Sequence, residues 1–524
     1  MGMYLNPGND AFAAVTKGLY VDKTGIIEYI NNTLGTKDNL TCVSRPRRFG
    51  KSFTAKMLAA YYDKSCDSSK LFNDLRIAKS DIYKKYLNQY NVLYLDITSF
   101  ISVAKNIKSV VKDITADVLR ELKAEYPNLE LGDSLIKALV NIAEQTGEKF
   151  IVIIDEWDAL FREARYDSAL QEEYIQLLRS LFKNGVLTSK AIEGAYMTGI
   201  LPIKKYGTQS ALTDFREYTM LQPGKLAEYI GFTEKEVRAL CREHSLNFKK
   251  VKAWYDGYSF SRFKSIYNPN SVMEAIRVDS IDNFWTRTET YEALQGYIDL
   301  NEYGLKEAVA QLLAGNKLQI DTGTFQNDMT SINSKDDVLT LLIHLGYLAF
   351  NNADSSVYVP NEEIEQEFMR ALRNSAKHQD LVKLIRKSEQ VFEYTLGVDG
   401  EKVAQLIEEV HDSITTPEFY NNEQALKSVI RFAYLTCIDE YLKIEELPSG
   451  KGYADVAFIP KKGTDKPALL VELKWNKSAV MALEQIKKKN YIASIKGCNE
   501  ILLVGINYDS ESKKHSCIIE KIVV

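Results

Sequence analysis

The sequence predicts a multidomain α/β protein, and three stretches carry that prediction. The first is Ser44-Arg45-Pro46-Arg47-Arg48-Phe49-Gly50-Lys51-Ser52, set between the apolar run Leu40 to Val43 and the helix-forming Phe53 to Leu58. Strand, tight loop ending in Gly-Lys-Ser, then helix is the layout of a phosphate-binding loop. The second is the apolar run Phe150 to Ile154, closed by Asp155-Glu156. A run that short and that apolar reads as a strand buried on both faces, as in a parallel sheet. The third is the pair Gly452 to Pro460 and Ala468 to Trp475, two strands that carry Asp455, Glu472 and Lys474.

At 524 residues the chain exceeds what one hydrophobic core supports, so about two to four domains are expected. With 45% hydrophobic and 26% charged residues it has the make-up of an ordinary soluble globular protein. No apolar run approaches the roughly 20 residues of a membrane span, and no secretory h-region stands near the first residues. No membrane association and a cytoplasmic location are the expectations. The 6 cysteines form no C-x-x-C pair and the 5 histidines are dispersed, which argues against a zinc cluster or a Ser-His-Asp triad. A net charge of −5 argues against a protein that coats nucleic acid over its whole surface. Residues 451–524, however, hold 13 Lys and no Arg against 3 Asp and 5 Glu, so that the tail is +5 and the rest −10. An anionic partner would fit that end.

Taken in order, Asp22 or Thr24 is expected to N-cap a short helix from Gly25 to Asn31. In the loop that follows, backbone N–H groups and the positive end of the next helix would take phosphate oxygens. Lys51 would reach the β/γ-phosphates and the Ser52 hydroxyl would ligate Mg²⁺. Arg47, Arg48, Phe49, Gly50 and Phe53 complete the expected nucleotide-binding set. The pattern's leading glycine is replaced by Arg45.

A buried strand is expected from Asn91 to Thr98, then helix from Ala104 to Gln145 with a break near Pro127, then the strand ending at Asp155. Asp155 would hold Mg²⁺ opposite Ser52, and Glu156 would orient or deprotonate the attacking water. A helix from Ala169 to Lys183 and strands at Ala191 to Thr198 and Glu217 to Leu221 complete a three-layer sheet. Ligands in such sheets lie beyond the carboxyl ends of the strands. Thr198 falls there, as a contact to the γ-phosphate or as a plain β-branched strand residue.

Tyr20-Val21-Asp22-Lys23-Thr24, the Arg-Pro-Arg-Arg-Phe-Gly-Lys-Ser loop, Ile153-Ile154-Asp155-Glu156-Trp157-Asp158 and Met197-Thr198-Gly199-Ile200 resemble the bacterial AAA-ATPase-like family. Its members typically fuse this P-loop NTPase to a C-terminal PD-(D/E)XK nuclease-like domain. The resemblance implies that Arg45 in place of glycine is a family feature, and that Trp157 stands where Tyr is commoner. It implies an AAA-like NTPase domain at 1–222 and a helical lid with a winged-helix-like region at 223–372. A helical connector at 373–420 and a restriction-endonuclease-like α/β core at 421–524 would follow.

Within the middle region, Gly231 to Val237 opens a capped helix. Trp254 to Tyr258 and Tyr267-Asn268-Pro269 are read as packing residues. The helix–hairpin–helix order from Leu339 through Asn361 is that of a winged-helix unit, read as a packing or protein-contact module.

Along a strand side chains alternate, so Glu472 and Lys474 share a face and Asp455 on the paired strand can meet them. Two carboxylates beside a lysine make a divalent-metal site with a cation for water or phosphate. Asp…Glu-x-Lys on adjacent strands resembles the PD-(D/E)XK core, with Ala454 at the motif's proline and Tyr453 where Arg is common. The resemblance implies a site role for Gln485. Lys487, Lys488, Lys489 and Tyr491 are expected phosphate contacts, and Glu423 is a further acid. The expected function is an ATP-binding and ATP-hydrolysing protein coupled to a Mg²⁺- or Mn²⁺-dependent nuclease acting on nucleic acid, DNA above RNA. The alternative is a switch-like regulatory NTPase, forming homo-oligomers, whose nuclease-like domain only binds or assembles. Arg47, Arg48 and Arg216 are the candidate phosphate or trans-acting arginines.

Overall fold

Apolar runs and helical periodicities alternate from residue 40 to residue 218, and the computed structural model folds them into one parallel sheet. It describes residues 2–523 except 184, 204, 207–208, 211, 213, 261–262, 286–290, 299–303, 326–331, 333, 374–378, 415–422, 450–451, 462–465, 490 and 496–497. The chain divides into two compact units, one of residues 1–246, 257–279 and 321–355, the other of 247–256, 280–320 and 356–524.

In the first unit, strands β1 (Leu40–Ser44), β2 (Asn91–Asp96), β3 (Phe150–Asp155), β4 (Ile192–Gly199) and β5 (Arg216–Tyr218) lie in the order β2-β3-β4-β1-β5. Every pairing is parallel, as the double-sided burial of β1 and β3 requires. Val43 pairs with Thr198 and Ile154 with Met197, so the carboxyl ends of β1, β3 and β4 finish side by side.

Helix α1 (Lys51–Tyr62) packs against β3 and β4. Helices α2 (Val110–Glu125), α3 (Leu135–Thr146) and α4 (Ser168–Phe182) join Leu93, Leu95, Val152 and Ile154 in one apolar cluster. The expected helical break near Pro127 falls between α2 and α3. Helix Gly25–Asn31 forms where expected, but neither Asp22 nor Thr24 caps it through its side chain. Asp22 Oδ1 instead accepts from the Thr24 N–H and hydroxyl, and Thr24 Oγ1 accepts from Ile77 N, which spends both groups on the loop. The capping box does form at Thr233 and Glu236, ahead of helix Glu234–Glu243.

Trp254 and Tyr255 in the second unit, and Tyr258 and Tyr267 in the first, are buried as packing residues. Helix Lys335–Leu345, strands Ala349–Asn351 and Ser356–Tyr358, and helix Glu362–Arg373 follow in the expected sequence. The division between units falls inside that series, after Ser355.

The second unit holds helix α5 (Glu423–Ala433) and strands β6 (Tyr441–Ser449), β7 (Gly452–Pro460), β8 (Ala468–Trp475), β9 (Glu500–Asp509) and β10 (Lys514–Val523), adjacent in that order. β8 and β9 run parallel and are joined through helix α6 (Ala479–Lys488); the other neighbours are antiparallel. Gly505 on β9 lies opposite Glu472, and a Cβ there would come within 2.4 Å of the Ala479 carbonyl. The missing side chain lets α6 close onto the sheet. Gly505→Ala should therefore destabilise the protein by about 1–3 kcal/mol through overpacking, read as a lowered melting temperature.

Among the described residues no helix is long and apolar enough to cross a membrane. The six cysteines are thiols and form no disulfide among the described residues.

Candidate active sites

The phosphate loop leaves β1 at Ser44 and enters α1 through Gly50, whose φ of 92° a β-carbon would strain. Arg48 also has a positive φ, 64°. Instead of glycines, side chains hold this loop. Arg45 is fully buried, donates from Nη1 to the carbonyls of Ser44 (2.9 Å) and Tyr218 (3.1 Å), and lies 4.9 Å over the Phe260 ring. Phe49 turns inward and meets the edge of Tyr258 at 5.3 Å, so it contributes packing and not a side chain for nucleotide. Arg48 donates to Asn270 Oδ1 at 3.2 Å. Arg47 and Phe53 are exposed.

Lys51 is 3% exposed and donates to the Pro46 carbonyl at 3.0 Å while standing 3.4 Å from Glu156 Oε1. Asp155 ends β3, accepts from the Tyr94 hydroxyl at 3.3 Å, and keeps Oδ1 buried without a hydrogen-bond partner. Burial pushes its carboxyl up to about 6, with the Ser52 hydroxyl and Lys51 pulling back and Glu156 pushing further. Burial raises Glu156 too, but Lys51, Arg162 and Arg47 outweigh it and leave that carboxyl below its ordinary value. Thr198 is fully buried, with an unpartnered hydroxyl, beside β1.

Arg216 does not join this group. It pairs in register with Thr41, toward the amino end of β1, and its guanidinium is held by Asp38 at 2.7 Å. A parallel strand that starts at Arg216 presents it away from the carboxyl edge. Two residues given no role from sequence do join: Arg162 binds Glu156 at 2.6 Å, and Asp158 is 3.3 Å from Arg162. Their i, i+4 spacing was the available signal.

In the second unit Asp455, Glu472, Lys474 and Gln485 come together. Asp455 Oδ2 accepts from Leu473 N at 2.9 Å, and Lys474 Nζ donates to Glu472 Oε1 at 3.0 Å. Gln485, delivered by α6, donates to the same oxygen. Glu472 is 2% exposed, and its Oε2 is buried with no partner. Burial, then the neighbouring Asp455, pushes its carboxyl up to about 7 against the pull of Lys474.

Lys427 on α5 was missed from sequence and stands 3.4 Å from Asp455 Oδ1. It lies one helical turn after Glu423, whose side chain lies outside the described residues. Lys487 is paired with Glu520 at 2.5 Å, and Lys488 is exposed. Tyr491 is fully buried in the core under this sheet and so is no phosphate contact, because the turn after α6 folds its ring inward.

Among the described residues no three His, Cys, Asp or Glu side chains converge as a ready-made metal cluster. Each site instead offers a buried carboxylate oxygen without a partner, Asp155 Oδ1 in one and Glu472 Oε2 in the other. Hard oxygen donors of this kind suit Mg²⁺ or Mn²⁺, which take few protein ligands and complete their shell with water and phosphate.

No curated protein matches the chain. Among solved structures, it is similar to the Walker-type ATPase PABY2304 of Pyrococcus abyssi at 13% identity and a TM-score of 0.32, over 66% of this chain and 94% of that one. It is similar to the Aeropyrum pernix ORC2 protein with ADPNP and ADP at 11% identity and a TM-score of 0.30, over 67% and 96%. A replication initiator DnaA bound to AMPPCP and single-stranded DNA aligns at 10% identity and a TM-score of 0.28, over 74% and 96%. Residues 9–208 match the family described as predicted AAA-ATPase, and residues 421–517 match the PD-(D/E)XK nuclease superfamily. The chain thus carries an AAA-ATPase-like domain near its amino end and a PD-(D/E)XK nuclease superfamily domain near its carboxyl end.

Proposed function

We propose that the protein binds and hydrolyses ATP in its first unit and cleaves nucleic acid, DNA in the first instance, in its second, with nucleotide state controlling cleavage in the cytoplasm. The observation that carries the nuclease half is the convergence of Asp455, Glu472, Lys474 and Gln485 around a buried carboxylate oxygen with no partner. An unpaired buried acceptor costs free energy, so a cation that takes it up is favoured.

Asp455 and Glu472 would hold a divalent ion, which would supply charge to the scissile phosphate and a more acidic water. Lys474 neutralises the attacked phosphate or the water's developing hydroxide. Gln485 holds Glu472 in the rotamer that faces the site. In the first unit Gly50, Lys51 and Ser52 would cradle the phosphates with Arg47 and Arg48 at the rim. Asp155 and Ser52 would hold Mg²⁺, and Glu156 would orient the attacking water. Thr198 would contact the γ-phosphate, and Phe53 would lie against the nucleotide.

The test is direct. Purified full-length chain is incubated with single- and double-stranded DNA and RNA, with and without ATP, in Mg²⁺ and in Mn²⁺. Cleavage of one substrate class with release of phosphate from ATP is the expected result. No cleavage in any arm, with ATP-dependent self-association instead, would overturn the nuclease half in favour of a switch-like NTPase.

A further inference from the structure

We propose that Arg162 is a positioning residue for ATP hydrolysis: with Asp158 it fixes Glu156 and ties it to the strand end that carries Thr198. The inference rests on the reading of Glu156 as the group that orients the attacking water. Glu156 has a φ of 52°, in the left-handed region. Neither strand nor helix geometry places such a side chain, so its surroundings must determine it. Two cations pair with it, and Arg47 adds its charge. Lys51 Nζ lies 3.4 Å from Oε1, and Arg162 Nη2 lies 2.6 Å from Oε2.

Lys51 is the partner that a nucleotide takes away, because phosphate oxygens draw the ammonium of a phosphate loop. Arg162 then remains as the paired cation that keeps Glu156 aimed. Exposed ion pairs on a helix are screened and easily replaced by water. This one is not exposed: the two side chains are 14% and 18% accessible.

The second half of the device is Asp158. Its carboxylate is fully buried, stands 3.3 Å from Arg162 Nε, and accepts from Ile200 N at 3.2 Å and Leu201 N at 2.9 Å. A planar guanidinium can meet two carboxylates at once, which an ammonium does poorly. Ion pairs therefore run from Glu156 through Arg162 to Asp158, and hydrogen bonds from Asp158 to the backbone just past Thr198. The Trp157 N–H closes the circuit on the Thr198 carbonyl at 2.9 Å. Gly199 leaves the space: a Cβ there would lie 2.6 Å from Asp158 Oδ1.

The experiment uses the full-length chain with Arg162→Gln, Arg162→Lys and Asp158→Asn, beside Lys51→Ala as the control for the ATPase reading. Single-turnover phosphate release, the ATP dissociation constant and thermal melting are measured on each. Arg162→Gln is expected to slow hydrolysis about 100-fold with ATP affinity within about twofold of wild type. Arg162→Lys should recover about tenfold of that loss, since it restores the charge but not the bridge. Asp158→Asn should slow hydrolysis in the same direction.

A wild-type rate for Arg162→Gln overturns the inference. So does a loss matched by equal falls in ATP affinity and melting temperature, which is what a merely structural pair would give. If Arg162→Gln does not fold, Arg162→Lys decides alone: slower turnover at unchanged affinity supports the inference, and a wild-type rate overturns it. If Lys51→Ala also turns over ATP normally, the ATPase reading has failed and the inference falls with it.

Discussion

Glu472→Gln is expected to abolish phosphodiester cleavage, by at least about 100-fold, without loss of folding. The reason lies in what the substitution keeps and what it removes. Glutamine fills the same volume beside Lys474 and Gln485, but it replaces the buried anionic oxygen with a neutral amide that no divalent ion prefers. Loss of an ion that stabilises transition-state charge is worth several kcal/mol, and each 1.36 kcal/mol is about tenfold in rate. Glu472 already has its carboxyl pushed up to about 7 by burial. Ionising it therefore costs stability, and the neutral variant should melt at or above the wild-type temperature at pH 8. Cleavage, metal titration and melting on one preparation separate the outcomes. Undiminished cleavage by Glu472→Gln would remove this carboxylate from the mechanism.

Lys51→Ala is expected to weaken ATP binding by at least about 100-fold and to bring turnover to background. Lys51 is nearly inaccessible and sits between the Pro46 carbonyl and Glu156, so its ammonium is already desolvated and aimed along the loop. A desolvated cation interacts more strongly with phosphate than one in bulk water. Its removal leaves Glu156 paired with Arg162, so the fold should survive. Isothermal titration with ATP and phosphate-release kinetics check the result. The same variant reports on control: nuclease activity that responds to ATP in wild type should cease to respond in Lys51→Ala, and equal responses would sever the proposed coupling.

The central sheet was legible because its strands are short apolar runs between turn residues, as at Phe150–Asp155, and because period-3.6 helices separate them. Asp155, Glu156 and Lys51 were legible for a related reason, since strand ends and the residue after a loop glycine have fixed places in such a sheet. That Glu472 and Lys474 share a face followed from strand alternation, and that Asp455 can meet them followed from the pairing of its strand with theirs.

What sequence hid depends on burial and direction. Nothing in the string says that Phe49 turns inward onto Tyr258, or that Tyr491 joins the core and not the surface. Arg216 lies away from the carboxyl edge of the sheet because a strand's polarity decides which end meets the ligand, and its register with Thr41 is a tertiary fact. Lys427 sits on a helix face whose neighbour Asp455 is distant in sequence, and Arg162 meets Glu156 only because the chain turns sharply between them. A single sequence offers no signal for that beyond spacing.

The anchoring of the phosphate loop has a mechanical consequence. Arg45, Arg48 and Phe49 each grip the segment 258–270, at Phe260, Asn270 and Tyr258. A glycine-rich loop is slack and surrenders about 1–2 kcal/mol of backbone entropy per residue when phosphate orders it. This loop has given up much of that freedom before nucleotide arrives. Phosphate meets a preformed socket, and any displacement it forces cannot dissipate in loose backbone. It would pass instead to Tyr258, Phe260 and Asn270, which makes the loop a stiff lever.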